Sequence, residues 1–371
     1  MVQNNRYMEG RGLRDDPNGC SMIEYEIHAG VGHVSPYMEA LKEYLSVYDW
    51  EICYLPFLPD RAPKTNERII HLHRLGRLYD SKDMTSLQNL MAKIDKLKLL
   101  GWKFVWTVHN IFAIDSSMTE VDYLAIEEIG KRMDLVFCHT EVMRKSLRDY
   151  FGLTVVNHFY GADYHLKKNS ESFFVNKNLF NNSLFTFGFI GNLREYKGIR
   201  ELLNTYERLI KNGKQCNLLI AGSVYSTFLN DNPDIMKKIE NNNVFLYDDY
   251  VYEEDWAEIV RLVDVLVFPY KVSLPVFKYG FYGSSIAQAA YMKKLIICPD
   301  DRNIKSMLST LNYSFTYDNN DLQGLYDAMN LCMDADKKIH KSYENKLFKL
   351  VADKSWNNLA KRINDEYNHL L

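Results

Sequence analysis

Apolar positions along the chain fall into short runs that are hydrophobic on both faces, separated by stretches in which they recur every three or four residues. Residues 50–55 (WEICYL), 68–73 (RIIHLH), 103–109 (KFVWTVH), 135–139 (LVFCH) and 154–159 (TVVNHF) are of the first kind. The segments SLQNLMAKIDKLKLLG and EVDYLAIEEIGKRM are of the second. Strands apolar on both faces and spaced by amphipathic helices predict a parallel sheet covered on each side. Residues 21–29 (SMIEYEIHA) read as a first strand of weaker apolar character.

The rhythm breaks in a polar, Asn-rich stretch, residues 166–183, and then restarts. Further strands are predicted at 184–191 (LFTFGFIG), 216–222 (CNLLIAG), 243–249 (NVFLYDD), 265–270 (VLVFPY) and 294–299 (KLIICP). A chain of 371 residues is too long for one ordinary core. The expected class is therefore α/β, with two Rossmann-like doubly wound domains facing a cleft. The expected divisions are an N-terminal domain over 1–165, a linker over 166–183, a second domain over 184–352 and a closing helix over 353–371. Ligands of such sheets bind beyond the carboxyl ends of the strands, so the informative residues are those that directly follow a strand.

Composition narrows the partners. With 47% hydrophobic and 25% charged residues, the chain is neither disordered nor a collagen-like repeat. A net charge of -3 gives no basic footprint for nucleic acid, so any anionic partner must be met locally. Cys20, Cys53, Cys138, Cys216, Cys298 and Cys332 form no CxxC pair and mostly sit in apolar runs. They read as small hydrophobes in a reducing, cytoplasmic setting, with no zinc. The N-terminal residues lack the apolar core of a signal peptide, and no apolar run approaches the ~20 residues of a membrane span.

Two turns carry the chemistry. Residues 189–203 (FIGNLREYKGIRELL) end a strand on Gly191, cross a turn holding Arg194 and Lys197, and open a helix at Gly198. Glycine lets backbone approach a ligand, and the fresh helix start points unpaired N–H groups the same way. Arg adds a planar fork and Lys a point charge, a set that suits two linked phosphates. The other reading is a solvated turn with two surface cations, because most such turns bind nothing. The second turn places Gly283, Ser284 and Ser285 ahead of the helix IAQAAYM. Its hydroxyls and backbone donors suit an anion, although serine is also a plain N-cap. Two such cradles in one domain strengthen the diphosphate reading. Between them, Pro269 and Tyr270 close a strand and shape a pocket wall.

These segments together resemble the donor domain of GT-B glycosyltransferases, in particular the family-4-like enzymes of bacterial exopolysaccharide assembly. The likeness runs through FIGNLREYKGIRELL, LLIAG (218–222), EEDWAEIVRLVDVLVFP (253–269) and YGSSIAQAAYMKKLIIC (282–298). In the first half IIHLHRL and KFVWTVHNIFAID (103–115) are similar to the H-x-H and WTVHN segments of those enzymes, and DKSWNNLAKRINDEY (353–367) to their closing helix. The resemblance implies a donor diphosphate held by Gly191, Arg194, Lys197, Gly283, Ser284 and Ser285. It implies a nucleoside held by Gly222 and by backbone around Tyr250 and Val251, and a donor-sugar contact at His109.

One departure matters. Retaining family-4 enzymes carry Glu, seven residues, Glu around the second cradle, where this chain has Gly280 and Gln288. Related inverting enzymes use a carboxylate of the N-terminal domain as general base, and Asp115, just beyond the strand carrying His109, is the candidate. The leaving diphosphate would then be stabilised by cations and helix dipoles without a metal. Asp248–Asp249 and Asp300–Asp301 read as surface turns rather than a metal site. His71 and His73 share a strand face, a spacing that suits a metal pair, yet no further ligand lies near. Sheet-end hydrogen bonding is expected of His71 and cleft lining of His73. His158 reads as structural. Gly30 and Gly32, with Ser35 and Pro36 opening a helix, fit a loop where backbone approaches donor or acceptor.

The expected activity is transfer of a hexose from a UDP- or GDP-linked sugar to a saccharide or lipid-linked glycan, with no other cofactor. A non-catalytic subunit that keeps the fold and a nucleotide-sugar epimerase or hydrolase are the alternatives. Residues 86–103 set Lys93, Lys96, Lys98 and Lys103 among apolar positions and Trp102. That pattern suits peripheral contact with anionic lipid at the inner face of a membrane. A sheet-covering helix with a solvated face is the stronger reading of the same pattern.

Overall fold

The structure, a computed structural model, describes residues 22–25, 36–54, 58–64, 68–114, 118–157, 161, 183–242, 244–251, 253–308 and 315–371. Asp115, Gly30, Gly32, Ser35 and His158 lie outside the described residues.

In chain order the first half runs β1 (Met22–Tyr25), α1 (Pro36–Ser46), β2 (Ile52–Tyr54), β3 (Ile69–Leu72), α2 (Met84–Leu99), β4 (Lys103–Val108), α3 (Glu120–Arg132), β5 (Leu135–Cys138), α4 (Glu141–Phe151) and β6 (Val156–Asn157). The strands form one six-stranded sheet in the order β2-β1-β3-β4-β5-β6, with every pairing parallel. The second half begins with β7 (Phe185–Ile190), α5 (Ile199–Lys211), β8 (Cys216–Ala221), α6 (Ser226–Asp231), α7 (Ile235–Asn241) and β9 (Phe245–Tyr247). It returns through α8 (Glu253–Leu262), β10 (Val265–Val267), α9 (Ser284–Tyr291), β11 (Leu295–Pro299), α10 (Arg302–Leu308) and β12 (Thr316–Tyr317). It closes with α11 (Leu322–Asp334), α12 (Lys337–Val351) and α13 (Trp356–Leu370). Its sheet is again six-stranded and parallel, ordered β12-β11-β10-β7-β8-β9.

Both sheets start in the middle, grow to one side, and return to grow on the other. The reversal falls between β1 and β3 in the first and between β7 and β10 in the second. Such a switch point leaves a crevice, because the two loops that follow its strands depart to opposite faces. The two cradles read in the sequence follow β7 and β10, the neighbours at that point.

Local chemistry accounts for the helix limits. Thr119 accepts from the Asp122 amide while the Asp122 carboxylate takes the Thr119 amide, a reciprocal cap that opens α3. Thr140 caps α4, and Gly152, at φ 67°, ends it in the left-handed region. Wide aromatics fill the interiors. Trp102, Phe104, Trp106 and Phe137 are fully buried in the first half, and Phe187, Phe189, Phe268 and Phe277 in the second. Each contributes on the order of 2–3 kcal/mol of transfer free energy.

The burial of Trp102 corrects the expectation of an interfacial aromatic on α2. Its indole donates to the Arg61 carbonyl at 2.8 Å, beneath the helix rather than above it. Lys98 is tied to the Arg132 carbonyl and to Asp134, and Lys93 to Asp60. Two of the four lysines of the basic stripe are therefore engaged within the protein. The cysteines also depart from expectation at one position. Cys138, Cys216, Cys298 and Cys332 are free and buried, but Cys53 is disulfide-bonded. No helix among the described residues is long and apolar enough to cross a membrane.

The last helix leaves the second half and packs on the first. Trp356 lies 5.2 Å from the Tyr37 ring and stacks on Tyr44 at 6.1 Å. The Trp50 indole donates to Asn364 at 2.9 Å, and the Tyr367 hydroxyl meets His71 Nδ1 at 2.6 Å. Gly161 touches the Trp356 ring so closely that an added Cβ would stand 2.4 Å from it. Trp356 is thus an anchor of the crossing helix and not merely a buried side chain. Trp356→Ala should cost about 3–5 kcal/mol, read as a lower urea midpoint. Trp356→Phe should retain most of that stability.

Candidate active site

The turn after β7 is built on two facing glycines. Gly222 has φ 149°, and a Cβ there would fall 2.1 Å from the Gly191 carbonyl oxygen. The Gly191 amide in turn donates to the Ala221 carbonyl at 2.9 Å. Gly198, at φ 71°, begins α5 with its Cβ position 1.9 Å from the Pro269 carbonyl oxygen, so only glycine lets α5 press on the strand-end loop of β10. The chain between these glycines forms a single 3-10 turn over Glu195–Lys197.

Lys197 is the centre of the arrangement. Its ammonium donates to the Tyr270 hydroxyl at 2.8 Å, and it lies 4.1 Å from the Tyr270 ring centroid and 5.1 Å from that of Tyr196. The carboxylates nearest in sequence are spent elsewhere. Glu195 pairs with Lys271 and accepts from Asn232, and Glu201 pairs with Lys271 at 3.0 Å. Burial, and then repulsion from Arg194, pull the Lys197 pKa down to about 7. An ammonium enclosed by aromatic rings and lacking a carboxylate is costly to keep charged, and an incoming anion relieves that cost. Arg194 is half-buried, with its guanidinium 4.7 Å from the Tyr225 ring.

The second cradle meets the first at Tyr270. The Ser285 side chain lies close enough to the Tyr270 hydroxyl that Lys197 holds to lower its pKa slightly, while burial pushes that phenol far above its ordinary value. Helix α9 starts without a side-chain cap. Ser284 and Ser285, both half-buried, present its first turn. Gly283 differs from expectation: its amide donates to the Met307 sulfur at 3.1 Å, which aims it into the core rather than at a ligand. The structure therefore brings Lys197 and Ser285 to Tyr270, with Arg194 close enough to repel the Lys197 ammonium, while Gly191 ends β7 ahead of them and Ser284 precedes Ser285. Tyr270 read from the sequence only as a wall.

The loops after β8 and β9 border that crevice. The Val224 amide donates to Asp248 at 2.8 Å, and Asp249 takes the Tyr250 amide at 2.6 Å. Tyr250 is exposed, and Val251 is half-buried against the core. Asp300 pairs with Lys305 at 2.7 Å and Asp301 takes the Asn303 amide at 2.7 Å. These acidic residues brace turns.

Gly280 shows why the first position of the Glu pair is vacant of acid. It sits at φ 106°, where a Cβ would stand 2.7 Å from the Met143 side chain and 2.9 Å from the Met143 amide, in the first turn of α4. An L-residue is strained there and would also collide with the other half of the molecule. Around it the halves touch through Tyr123 and Tyr279, whose hydroxyls are 2.8 Å apart, and through a bridge between Asn110 and Phe281.

The first half contributes histidines to the opposite wall. His109, expected as a lone contact for the donor sugar, has both ring nitrogens within 3.0 Å of other imidazoles: Nε2 meets His73 Nδ1 and Nδ1 meets His139 Nε2. His73 is buried rather than open to the cleft, at 2% exposure. His71 bonds Thr107 at 2.8 Å and the Tyr367 hydroxyl. His139 was invisible as a site residue because its strand, LVFCH, reads as plain core; its strand-end position was the available signal.

Residues 185–334 match the family described as glycosyl transferases group 1. No curated protein matches the sequence. Among solved structures, sucrose-phosphate synthase from Thermosynechococcus elongatus is 13% identical, with 94% of this chain and 98% of that one covered at a TM-score of 0.70. A glycosyltransferase from Rickettsia africae is 13% identical over 95% and 99% at 0.64. The Anabaena protein HepE, solved with UDP and glucose, is 11% identical over 94% and 99% at 0.64. At these identities the likeness is one of fold, a GT-B pair of Rossmann-like domains.

The low pKa of Lys197 gives the site a pH signature. At pH below about 7 the ammonium is already charged when an anion arrives. Above it, binding must take up a proton, so affinity falls by up to about tenfold per pH unit. Isothermal titration with UDP or GDP should show this loss between pH 7.5 and 8.5, beyond the nucleotide's own phosphate titration. Lys197→Met should bind more weakly at pH 7 and lose the slope.

Proposed function

We propose that this chain, a glycosyltransferase of GT-B fold, moves a hexose from a nucleoside-diphosphate sugar to a saccharide acceptor in polysaccharide assembly. The observation that carries the reading is the convergence of Lys197, Tyr270 and Ser285, with Arg194 beside them, at the switch point between β7 and β10. In glycosyl transfer the bond from the anomeric carbon to the diphosphate breaks and negative charge grows on the departing phosphate. A guanidinium, an ammonium and an uncapped helix start placed at that charge lower the barrier without reorganising during reaction. The donor is read as UDP- or GDP-linked.

Metal independence is part of the proposal, because the charges that a divalent cation would neutralise are matched by Arg194 and Lys197. The acceptor is read as a saccharide, free or linked to lipid. Contact with a membrane surface draws no support from α2, whose Lys93 and Lys98 are engaged in the fold. A second reading, a nucleotide-binding subunit without catalysis, draws on Gly280, which excludes the acid found there in retaining enzymes.

Slow release of nucleoside diphosphate from UDP- and GDP-hexoses in water separates the readings. The transferase should hydrolyse one donor at a rate unchanged by EDTA, and Arg194→Ala should lower that rate about ten- to a hundredfold. Inertness toward every donor, with nucleotide bound, would leave the non-catalytic reading. Interconversion of donor sugars without release would point to an epimerase.

A further inference from the structure

Two carboxylates flank Lys197 in the chain. Glu195 opens the 3-10 turn that ends on Lys197, and Glu201 lies in the first turn of α5. A lysine and an acid four residues apart at the start of a helix are natural partners, and such a pair would occupy the place of an incoming anion. Both acids are instead held by Lys271, from the loop after β10. Its ammonium donates to Glu195 and pairs with Glu201 at 3.0 Å.

The hold is firm on each side. The second oxygen of Glu195 accepts from Asn232 at 3.2 Å, and the hydrogen bond from Lys271 keeps its pKa below the ordinary carboxylate value. Burial works against the Lys271 charge, yet its bonds to Glu195 and Glu201 outweigh burial and raise its pKa. The second oxygen of Glu201 is buried with no hydrogen-bond partner among the described residues, and the residue lines a small cavity with Tyr270, Lys271 and Tyr317. Its charge is therefore met by Lys271. The backbone joins turn and loop separately, because the Lys271 amide donates to the Tyr196 carbonyl at 2.8 Å. Removing the ammonium thus tests charge apart from that join. The titratable groups that face Lys197 itself are Arg194 and Tyr196 of its own turn and Tyr270 of the β10 loop.

We propose that Lys271 is a positioning residue of the anion site: it takes up Glu195 and Glu201, keeps both carboxylates from neutralising Lys197, and so leaves that ammonium to a diphosphate. Consecutive residues of one loop divide the work. Tyr270 holds the ammonium that meets the ligand, and Lys271 holds the acids that would compete with it. The inference deepens the transferase reading and rests on it for the identity of the anion, whereas the sorting of charges is a property of the turn and loop alone.

The experiment follows Lys197 through a pH titration of the full chain labelled with 13C-lysine, its signal assigned by its loss in Lys197→Met. Isothermal titration with UDP and GDP accompanies it. In Lys271→Met the Lys197 midpoint should rise from about 7 to about 8. Affinity for whichever nucleotide binds should fall about tenfold, the effect of one unit charge at roughly 10 Å in an effective dielectric of about 20. Adding Glu195→Gln and Glu201→Gln to that variant should restore both. Lys271→Arg, whose fork also spans two carboxylates, should stay within about twofold of wild type. So should Lys238→Met, which removes the same charge from α7, where it pairs with Glu207. A Lys197 midpoint that does not move in Lys271→Met, or a loss of affinity that persists once both acids are gone, would overturn the proposal. Where Lys271→Met does not fold, Glu195→Gln with Glu201→Gln decides: the unopposed Lys271 charge should bring the Lys197 midpoint below about 7, and an unchanged midpoint overturns the proposal. If the midpoints move as expected while neither UDP nor GDP binds, the charge sorting stands and the donor reading falls.

Discussion

Everything distinctive in the second half depends on holding one ammonium against one phenol. Lys197 reaches Tyr270 because β7 and β10 are neighbours in the sheet, although two strands and four helices separate them in sequence. The doubly wound order brings the loop after the first strand of the sheet beside the loop after its fourth. Gly198 then lets the backbones come within contact of Pro269. A Cβ at that point would push α5 off the loop and separate Lys197 from Tyr270, even with both side chains intact.

The two halves answer different electrostatic demands. The second sets the Arg194 guanidinium beside a Lys197 ammonium partly stripped of water, an arrangement that favours an anion. The first offers imidazoles packed among aromatic rings and carried on strand ends. A transfer reaction needs both: one wall on which negative charge grows, and another that accepts a proton without competing for the anion. Permanent cations on the first wall would draw the diphosphate away from Arg194 and Lys197.

Much of this was legible in the sequence. Runs apolar on both faces marked most strands because buried parallel strands leave no solvent face to alternate toward. Gly191, Arg194 and Lys197 were legible as a unit because the turn is local, spanning seven residues. What escaped was what the fold assembles from afar. Tyr270 lies 73 positions from Lys197, and His139 lies 30 from His109. No local pattern distinguishes a tyrosine at a strand end from one that joins two cradles. Trp102 misled for a related reason. An aromatic at the end of a basic amphipathic helix has the same sequence signature whether it faces lipid or, as here, turns under the helix to reach the Arg61 carbonyl.

Gly280 ties these strands of argument together. In a donor site that relies on an acid at that place, the acid would hold the sugar and also tune nearby cations. Here the backbone adopts φ 106° and presses on the Met143 amide, so the position serves contact between the halves instead. Lys197, held to Tyr270, keeps the depressed pKa that burial and Arg194 impose. Tyr282, two residues beyond Gly280, lies 5.2 Å from His139, so the segment that leads into the second cradle is braced against the first half along its length.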